Sequence, residues 1–419
     1  MRRKIGRKGL LLAIFFVIAL LVAGCGPKLD QGSSQPASSS SSSSGSSSSP
    51  SSSEGTSGTS IEGGEFVLGM AISLSGGTAK YGEAAKRGVE MAIEEFNASG
   101  GYNGKKAVLK LYDDEAKPEK SVEVVQRLIT QDKAVAIVGP ANSGNAKAHI
   151  KFTQEAKVPE VIPVATGTAI TQTYAGEEKN YIFRIAPFDS GQVGTMLKWA
   201  VEEKGFKKLA LLHDTTGYGQ GGKEDVLKQL KENYNLEPAV IESFQVGDPS
   251  MEPQLTKIKN ANVDAIIFYG LAPEVAVYLK SRDKIGYYPI TVASWAMGDP
   301  TVKELVGDLV NKNLYFVQSF TIDQSDKAKA FHEKVVAKYG EDIFPIATAQ
   351  GYDSAKVILS AIKKVGLDSE KIRDAIENMT DFDGVTSAGA QPFSKDNHEA
   401  LTKDNMFLAT YKDGVIAKP

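Results

Sequence analysis

The feature that most constrains this chain is a rhythm: short apolar runs alternate with longer stretches whose apolar residues recur every three or four positions. Residues 66–71 form one such run and read as a buried strand. Residues 81–97 follow as a helix, with Ala84, Val89, Ala92, Ile93 and Phe96 at helical spacing. The pattern predicts further strands at 107–112, 134–138, 160–164 and 181–185, and helices at 119–130 and 145–156. It restarts after Pro187, with helices at 193–204, 222–233, 252–260 and 275–285 and strands at 209–212, 240–244, 265–268 and 289–292. A strand at 314–320 precedes helices at 327–339, 352–364 and 370–378, and the end reads as a hairpin turning at Asp413-Gly414. Strand–helix alternation builds parallel sheets with helices on both faces. Two series in one chain give an α/β protein of two similar lobes, although internal identity is too weak to define a repeat.

The residues before this body carry a different signal. Arg2, Arg3, Lys4, Arg7 and Lys8 precede an uncharged apolar run over 10–23, shorter than the ~20 residues a membrane span needs. This is the pattern of a secretory signal peptide, assigned to 1–24. Leu21-Val22-Ala23-Gly24-Cys25 resembles the lipobox of bacterial lipoproteins, which implies a diacylated Cys25 as the new N-terminus. Cys25 is the sole cysteine, so it has no internal disulfide partner. Residues 32–60 are mostly serine, and the stretch 25–61 cannot bury enough apolar surface to fold. They read as a tether reaching roughly 30–35 Å. A doubly acylated end anchors stably, so the expected location is the outer face of a cell membrane, Gram-positive more readily than periplasmic.

The formal charge of −3 falls to −8 once the five basic residues of the signal are taken away. An acidic body without a lysine–arginine block excludes nucleic acid as a natural partner. The histidines, His149, His213, His332 and His398, lack metal-ligand spacing and a cysteine partner, and no metal site or cofactor is expected. There is no nucleophile elbow or phosphate loop, and the chain is not expected to be an enzyme.

Within the body, several segments occur in a telling order. They are Ser73-Leu74-Ser75-Gly76 with Tyr81-Gly82, the run from Phe96 to Lys105, the pair Asp113-Asp114, and Val138-Gly139-Pro140 with Ser143-Gly144. Phe183-Arg184 with Pro187 and Asp189-Ser190, and Tyr218-Gly219-Gln220-Gly221, complete the series. Together they resemble the type I periplasmic binding proteins, and more narrowly the branched-chain amino-acid receptors that feed ABC importers. The resemblance implies two Rossmann-like lobes joined by three hinge crossings. Lobe one is expected over 62–188 plus 318–391, and lobe two over 189–317 plus 392–419. It also implies a small carboxylate-bearing ligand in the cleft, permease and ATPase partners, and a monomer. A receptor serving a surface sensory system, or one for an aromatic acid or amide, is the alternative the pattern leaves open.

Ligands of open parallel sheets bind beyond the carboxyl ends of strands, beside helix N-termini. Ser143 stands at such a place, where free amides and the helix dipole favour a carboxylate; it would equally serve as an N-cap. The resemblance places a backbone carbonyl at Val164 and a ligand-gripping threonine at Thr166, with Ala165 between them. It places Tyr218 as a closing residue from lobe two and Tyr81 as an aromatic residue at the mouth of lobe one. Asp189 lies at the first crossing, within reach of the cleft. The departure is Trp295, which stands where the amino-acid receptors carry an acidic side chain for the ligand ammonium, as Leu271 stands for a tyrosine. Trp295 is expected either to stack on the ligand or to be a core tryptophan, with Asp299 a substitute acid.

Overall fold

The computed structural model describes residues 64–419; the expected signal, Cys25 and the tether lie outside them. The first sheet uses β1 (Glu65–Ile72), β2 (Lys106–Asp113), β3 (Ala136–Val138), β4 (Glu160–Ile162) and β5 (Ile182–Arg184), all parallel, in the order β2-β1-β3-β4-β5. Its helices are α1 (Ala79–Ala98), α2 (Pro118–Thr130), α3 (Ser143–Ala156) and the short α4 (Ala169–Gln172). The chain then passes through α5 (Asp189–Leu197) and a π-helical turn, Lys198–Glu203, into a second sheet.

That sheet comprises β6 (Leu209–Asp214), β7 (Val240–Phe244), β8 (Ala265–Tyr269), β9 (Ile290–Ala293) and β10 (Leu314–Gln318). Its parallel part is ordered β7-β6-β8-β9-β10, the same winding as the first sheet. The repeat too faint to read in the sequence is therefore plain in the topology. Helices α6 (Gly217–Tyr234), α7 (Glu252–Ala261), α8 (Ala272–Lys284) and α9 (Pro300–Val306) connect these strands. After β10 come α10 (Asp326–Tyr339), α11 (Pro345–Val365) and α12 (Ser369–Glu377), which pack on the first sheet. The hairpin β11 (Phe407–Lys412) and β12 (Val415–Ala417) then adds two antiparallel strands beside β10. Residues 398–400, within the segment expected in lobe two, bond to β5: Arg184 N–H donates to His398 O and Ala400 N–H to Arg184 O.

Period-two burial fixes each strand. Leu68, Met70 and Ile72 of β1 enter the core under α1 and α11, while Ala71 enters the core under α2. Ala210 and Leu212 of β6 face one core of the second lobe, and Leu209 and Leu211 the other. Both faces of both sheets are thus covered, which is why these strands read as continuous apolar runs.

Some polar residues are buried too. Ser121 Oγ lies 2.7 Å from His149 Nδ1, and His149 Nε2 2.6 Å from Glu160 Oε1. The order imitates a catalytic chain, but Ser121, His149 and Glu160 are wholly inaccessible to solvent. The network ties α2, α3 and β4 together. His213, also buried, bonds through Nδ1 to the Asp214 carbonyl oxygen.

Helices α1 and α11 touch through glycine. A Cβ on Gly88 would lie 2.1 Å from Thr348 O, and one on Gly351 2.1 Å from Ala85 O. Alanine is the better helix former by about 1 kcal/mol, so replacing an exposed glycine would stabilise. Here the clash wins. Gly88→Ala is expected to lower the unfolding free energy by about 1–3 kcal/mol in urea denaturation; an unchanged or higher midpoint would contradict the contact.

Candidate ligand site between the lobes

Because the strands of the first sheet and β6–β10 of the second run parallel, their carboxyl ends lie along one edge of each sheet, and the two edges face each other. One cavity is lined there by Thr78 and Tyr81 after β1, Ala141, Asn142 and Ser143 after β3, and Val164 and Thr166 after β4. Tyr218 after β6, Leu271 after β8 and Trp295 after β9 line it from the other side. Six of the residues singled out in the sequence, Tyr81, Ser143, Val164, Thr166, Tyr218 and Trp295, therefore meet around one space. Ala165 and Asp189 are buried just behind it and do not line it.

Each wall has a local cause. The N-cap of α3 is Asn142, whose Oδ1 accepts from Gly144 N–H at 2.8 Å. Ser143 is thereby the first helical residue, freed from the capping role that the sequence left open. Its Oγ accepts from Gly167 N–H at 3.1 Å. Tyr218 does not lie in a loop ahead of a helix at 222, as the glycines suggest. Asp214 Oδ1 accepts from Thr216 N–H and Gly219 N–H, Thr216 Oγ1 accepts from Tyr218 N–H, and α6 starts at Gly217. Tyr218 thus projects from a capped first turn. Trp295 opens a 3-10 turn, its N–H donating to Gln192 Oε1 at 3.0 Å.

Three rings join the lobes. Tyr81 meets Trp295 edge-on at 5.2 Å and Phe344 at 4.9 Å, and Trp295 stacks on Phe344 at 6.0 Å. Such pairs contribute ~0.5–1.5 kcal/mol each beyond their buried area. Trp295 lines the cavity and belongs to the core cluster of lobe one, as the core reading expected. Phe344 was missed, since it stands far along the chain in a segment without motif.

Polar contacts close the rest. Lys80 Nζ pairs with Glu304 at 2.6 Å, Lys147 Nζ donates to Gly217 O at 3.2 Å, and Thr168 Oγ1 donates to Asp225 Oδ2 at 2.7 Å. A Cβ on Gly217 would come within 2.9 Å of Gly144 Cα, so the backbones of the lobes touch. The cavity is about 10 Å³, room for about one water. A larger ligand requires the rings or the lobes to part.

The electrostatics are dominated by burial. The Tyr218 hydroxyl is pushed well above its usual pKa by burial, then by the charge of Asp189. Burial raises the Tyr81 hydroxyl likewise, and the Asp299 carboxylate adds to it. Asp299 Oδ1 accepts from Thr301 N–H at 2.7 Å, capping α9. Asp189 is the uncommitted acid. Its N–H donates to Thr166 O, Oδ1 accepts from Gln192 Nε2 at 3.1 Å and from the Tyr269 hydroxyl at 3.3 Å, and Oδ2 has no partner. Burial pushes its pKa up to about 7. Among the described residues no cluster of histidine, cysteine and carboxylates is placed to hold a metal, and no helix is long and apolar enough to cross a membrane.

A cavity shared by two α/β lobes and lined from the strand ends of both is the architecture of a bilobed small-molecule receptor. The sequence model described as "Periplasmic binding protein" matches residues 65–415. The leucine-, isoleucine-, valine-, threonine- and alanine-binding protein of Pseudomonas aeruginosa is 27% identical over 314 residues, 75% of this chain and 82% of that one. Among solved structures, LivJ of Streptococcus pneumoniae, a branched-chain amino-acid transporter substrate-binding protein in complex with isoleucine, is 28% identical. It superposes with a TM-score of 0.73 over 84% of this chain and 97% of its own. A type 1 periplasmic binding protein of Bordetella pertussis is 27% identical, with a TM-score of 0.77 over 84% and 99%. The chain belongs to the periplasmic binding protein family, and its fold is that of the type I members.

Asp189 carries a pH signature. The folded chain keeps a proton on it up to about pH 7, whereas an unfolded aspartate releases its proton near ~3.9. Its contribution to stability therefore falls as pH rises from ~4 to ~7. Asp189→Asn is expected to gain stability over the parent at pH 8 and to lose that advantage at pH 4.5, by urea denaturation. An equal difference at both pH values would refute the assignment.

Proposed function

We propose that this chain is the lipid-anchored, extracellular substrate-binding component of an ABC importer, and that its ligand is an amino acid with an apolar or aromatic side chain. The observation that supports this most is the meeting of Ser143, Val164 and Thr166 with Tyr218 and Trp295 around one cavity. In this reading the ligand carboxylate takes the Ser143 hydroxyl and the amides at the start of α3, where the dipole favours an anion. The ammonium faces the Val164 carbonyl, with Asp189 behind Thr166 as the nearest uncommitted acid. The side chain lies against Tyr81 and Trp295. The names of relatives that bind leucine, isoleucine and valine support the class of ligand.

A thermal-shift screen across aliphatic and aromatic amino acids, their amides and aromatic acids tests the ligand class. An amino acid at 100 times its Kd adds ~2.7 kcal/mol of stability. Trp295→Ala is expected to weaken binding of the best ligand at least tenfold; undiminished affinity would remove Trp295 from the site. A screen in which only acids lacking an amine bind would replace the amino acid by an aromatic acid.

The location rests on Cys25 and the tether. Cys25→Ser is expected to release the protein from cells into the medium, read by fractionation and immunoblot. Retention at the cell surface would overturn the anchor.

A further inference from the structure

Arg184 is a large charged side chain with no exposure to solvent, and it does not touch the cavity. Its Nη1 donates to Gly167 O at 2.8 Å and to Ala165 O at 3.3 Å. Its other face is held by Glu399: Nε donates to Oε2 at 2.7 Å, and Nη2 donates to Oε1. Thr171 Oγ1 also donates to Glu399. The backbones of residues 184 and 398–400 are paired, so the carboxylate is fixed by the same ladder that fixes the guanidinium.

The consequence lies one residue further in. Gly167, whose carbonyl Arg184 holds, donates its N–H to Ser143 Oγ. A serine hydroxyl that already accepts a hydrogen bond keeps one proton to give away, and the cavity is where it lines. Glycine has the freest backbone of any residue, and Gly167 has no side chain through which it could be held. Its carbonyl is held from two sides, by Arg184 Nη1 at 2.8 Å and by Ile170 N–H at 3.1 Å, and Arg184 is the only one of the two that comes from outside the loop and its helix. We infer that the Arg184–Glu399 pair is a positioning device for carboxylate recognition: by holding Gly167 it aims the Ser143 hydroxyl at the anionic end of the ligand. This rests on the receptor reading above and goes beyond it, since neither residue meets the ligand.

The test removes both charges together, because one member of a buried pair left alone is strongly destabilising whereas replacing both is often neutral. In Arg184→Met/Glu399→Gln the melting temperature is expected to stay within a few degrees of the parent. The Kd for L-leucine is expected to rise at least tenfold, and that for L-leucinamide much less. In a Ser143→Ala background the pair's removal is expected to have no further effect on L-leucine, the non-additivity of residues acting through one contact. A merely structural pair would lower the melting temperature, leave the leucine-to-leucinamide ratio unchanged and add fully to Ser143→Ala; those results would overturn the inference. Should the parent bind no carboxylate, the receptor reading falls. Amide exchange at Gly167 then decides the inference without ligand: at least tenfold faster exchange in the double variant supports it, and unchanged exchange sinks it.

Discussion

A parallel sheet brings the carboxyl ends of all its strands to one edge, and the rest of this molecule depends on that constraint. The loops after β1, β3 and β4 have to emerge together, as do those after β6, β8 and β9, and the cavity is where the two sets face each other. The same winding in both sheets makes the two edges similar in shape but not in chemistry. The small polar side chains, Thr78, Asn142, Ser143 and Thr166, all come from lobe one, whereas apolar and aromatic ones come from both, Tyr81, Ala141 and Val164 from lobe one and Tyr218, Leu271 and Trp295 from lobe two. Such a lining suits a ligand with a polar end and an apolar end.

Little in the cleft stands alone. The loop carrying Val164 and Thr166 is bonded through Thr166 O to Asp189 and through Gly167 O to Arg184. Thr168 Oγ1 accepts from Ser190 N–H and donates to Asp225 of α6. The loop is thus fastened to β5, to the first chain crossing and to a helix of the opposite lobe. Pre-fixed groups bind more tightly than mobile ones because less freedom is lost on association. The acid that the sequence finds missing at Trp295 has a near neighbour in Asp189, whose unpartnered oxygen and raised pKa leave it able to respond to a cation.

The strands were legible because each is buried on both faces and reads as an apolar run. β1, β6 and β8 lie within a few residues of their predicted bounds. The failures have physical causes. The start of α6 carries Gly217, Gly219, Gly221 and Gly222, which argue against helix by propensity. Close packing demands some of them: a Cβ on Gly222 would lie 2.3 Å from the Tyr269 ring, and one on Gly219 2.3 Å from Asp214 O. The first turns of α11 bury Ala347, Thr348, Ala349, Gln350 and Gly351. Small and polar residues leave no apolar periodicity, so the helix was predicted to begin at 352. The cavity-lining residues singled out in the sequence stand in or beside its motifs. Phe344 does not, because only the tertiary fold brings it to Tyr81, and Thr78, between two such segments, carries no pattern of its own. Arg184 stood in a noted segment, but its partner Glu399 lies 215 positions away.

The glycine pair at the cleft sets a limit of another kind. Gly144 and Gly217 meet backbone to backbone, with no side chain between them to compress or rotate. The jaws of this molecule therefore have a hard stop: they cannot close further around a smaller guest. Selectivity against small ligands then comes from unfilled space, and selectivity against large ones from failure to reach the stop. In the importer reading proposed above, a permease that reads the distance between the jaws would accordingly see one fully shut gauge for any guest that fits and a wider one for any that does not.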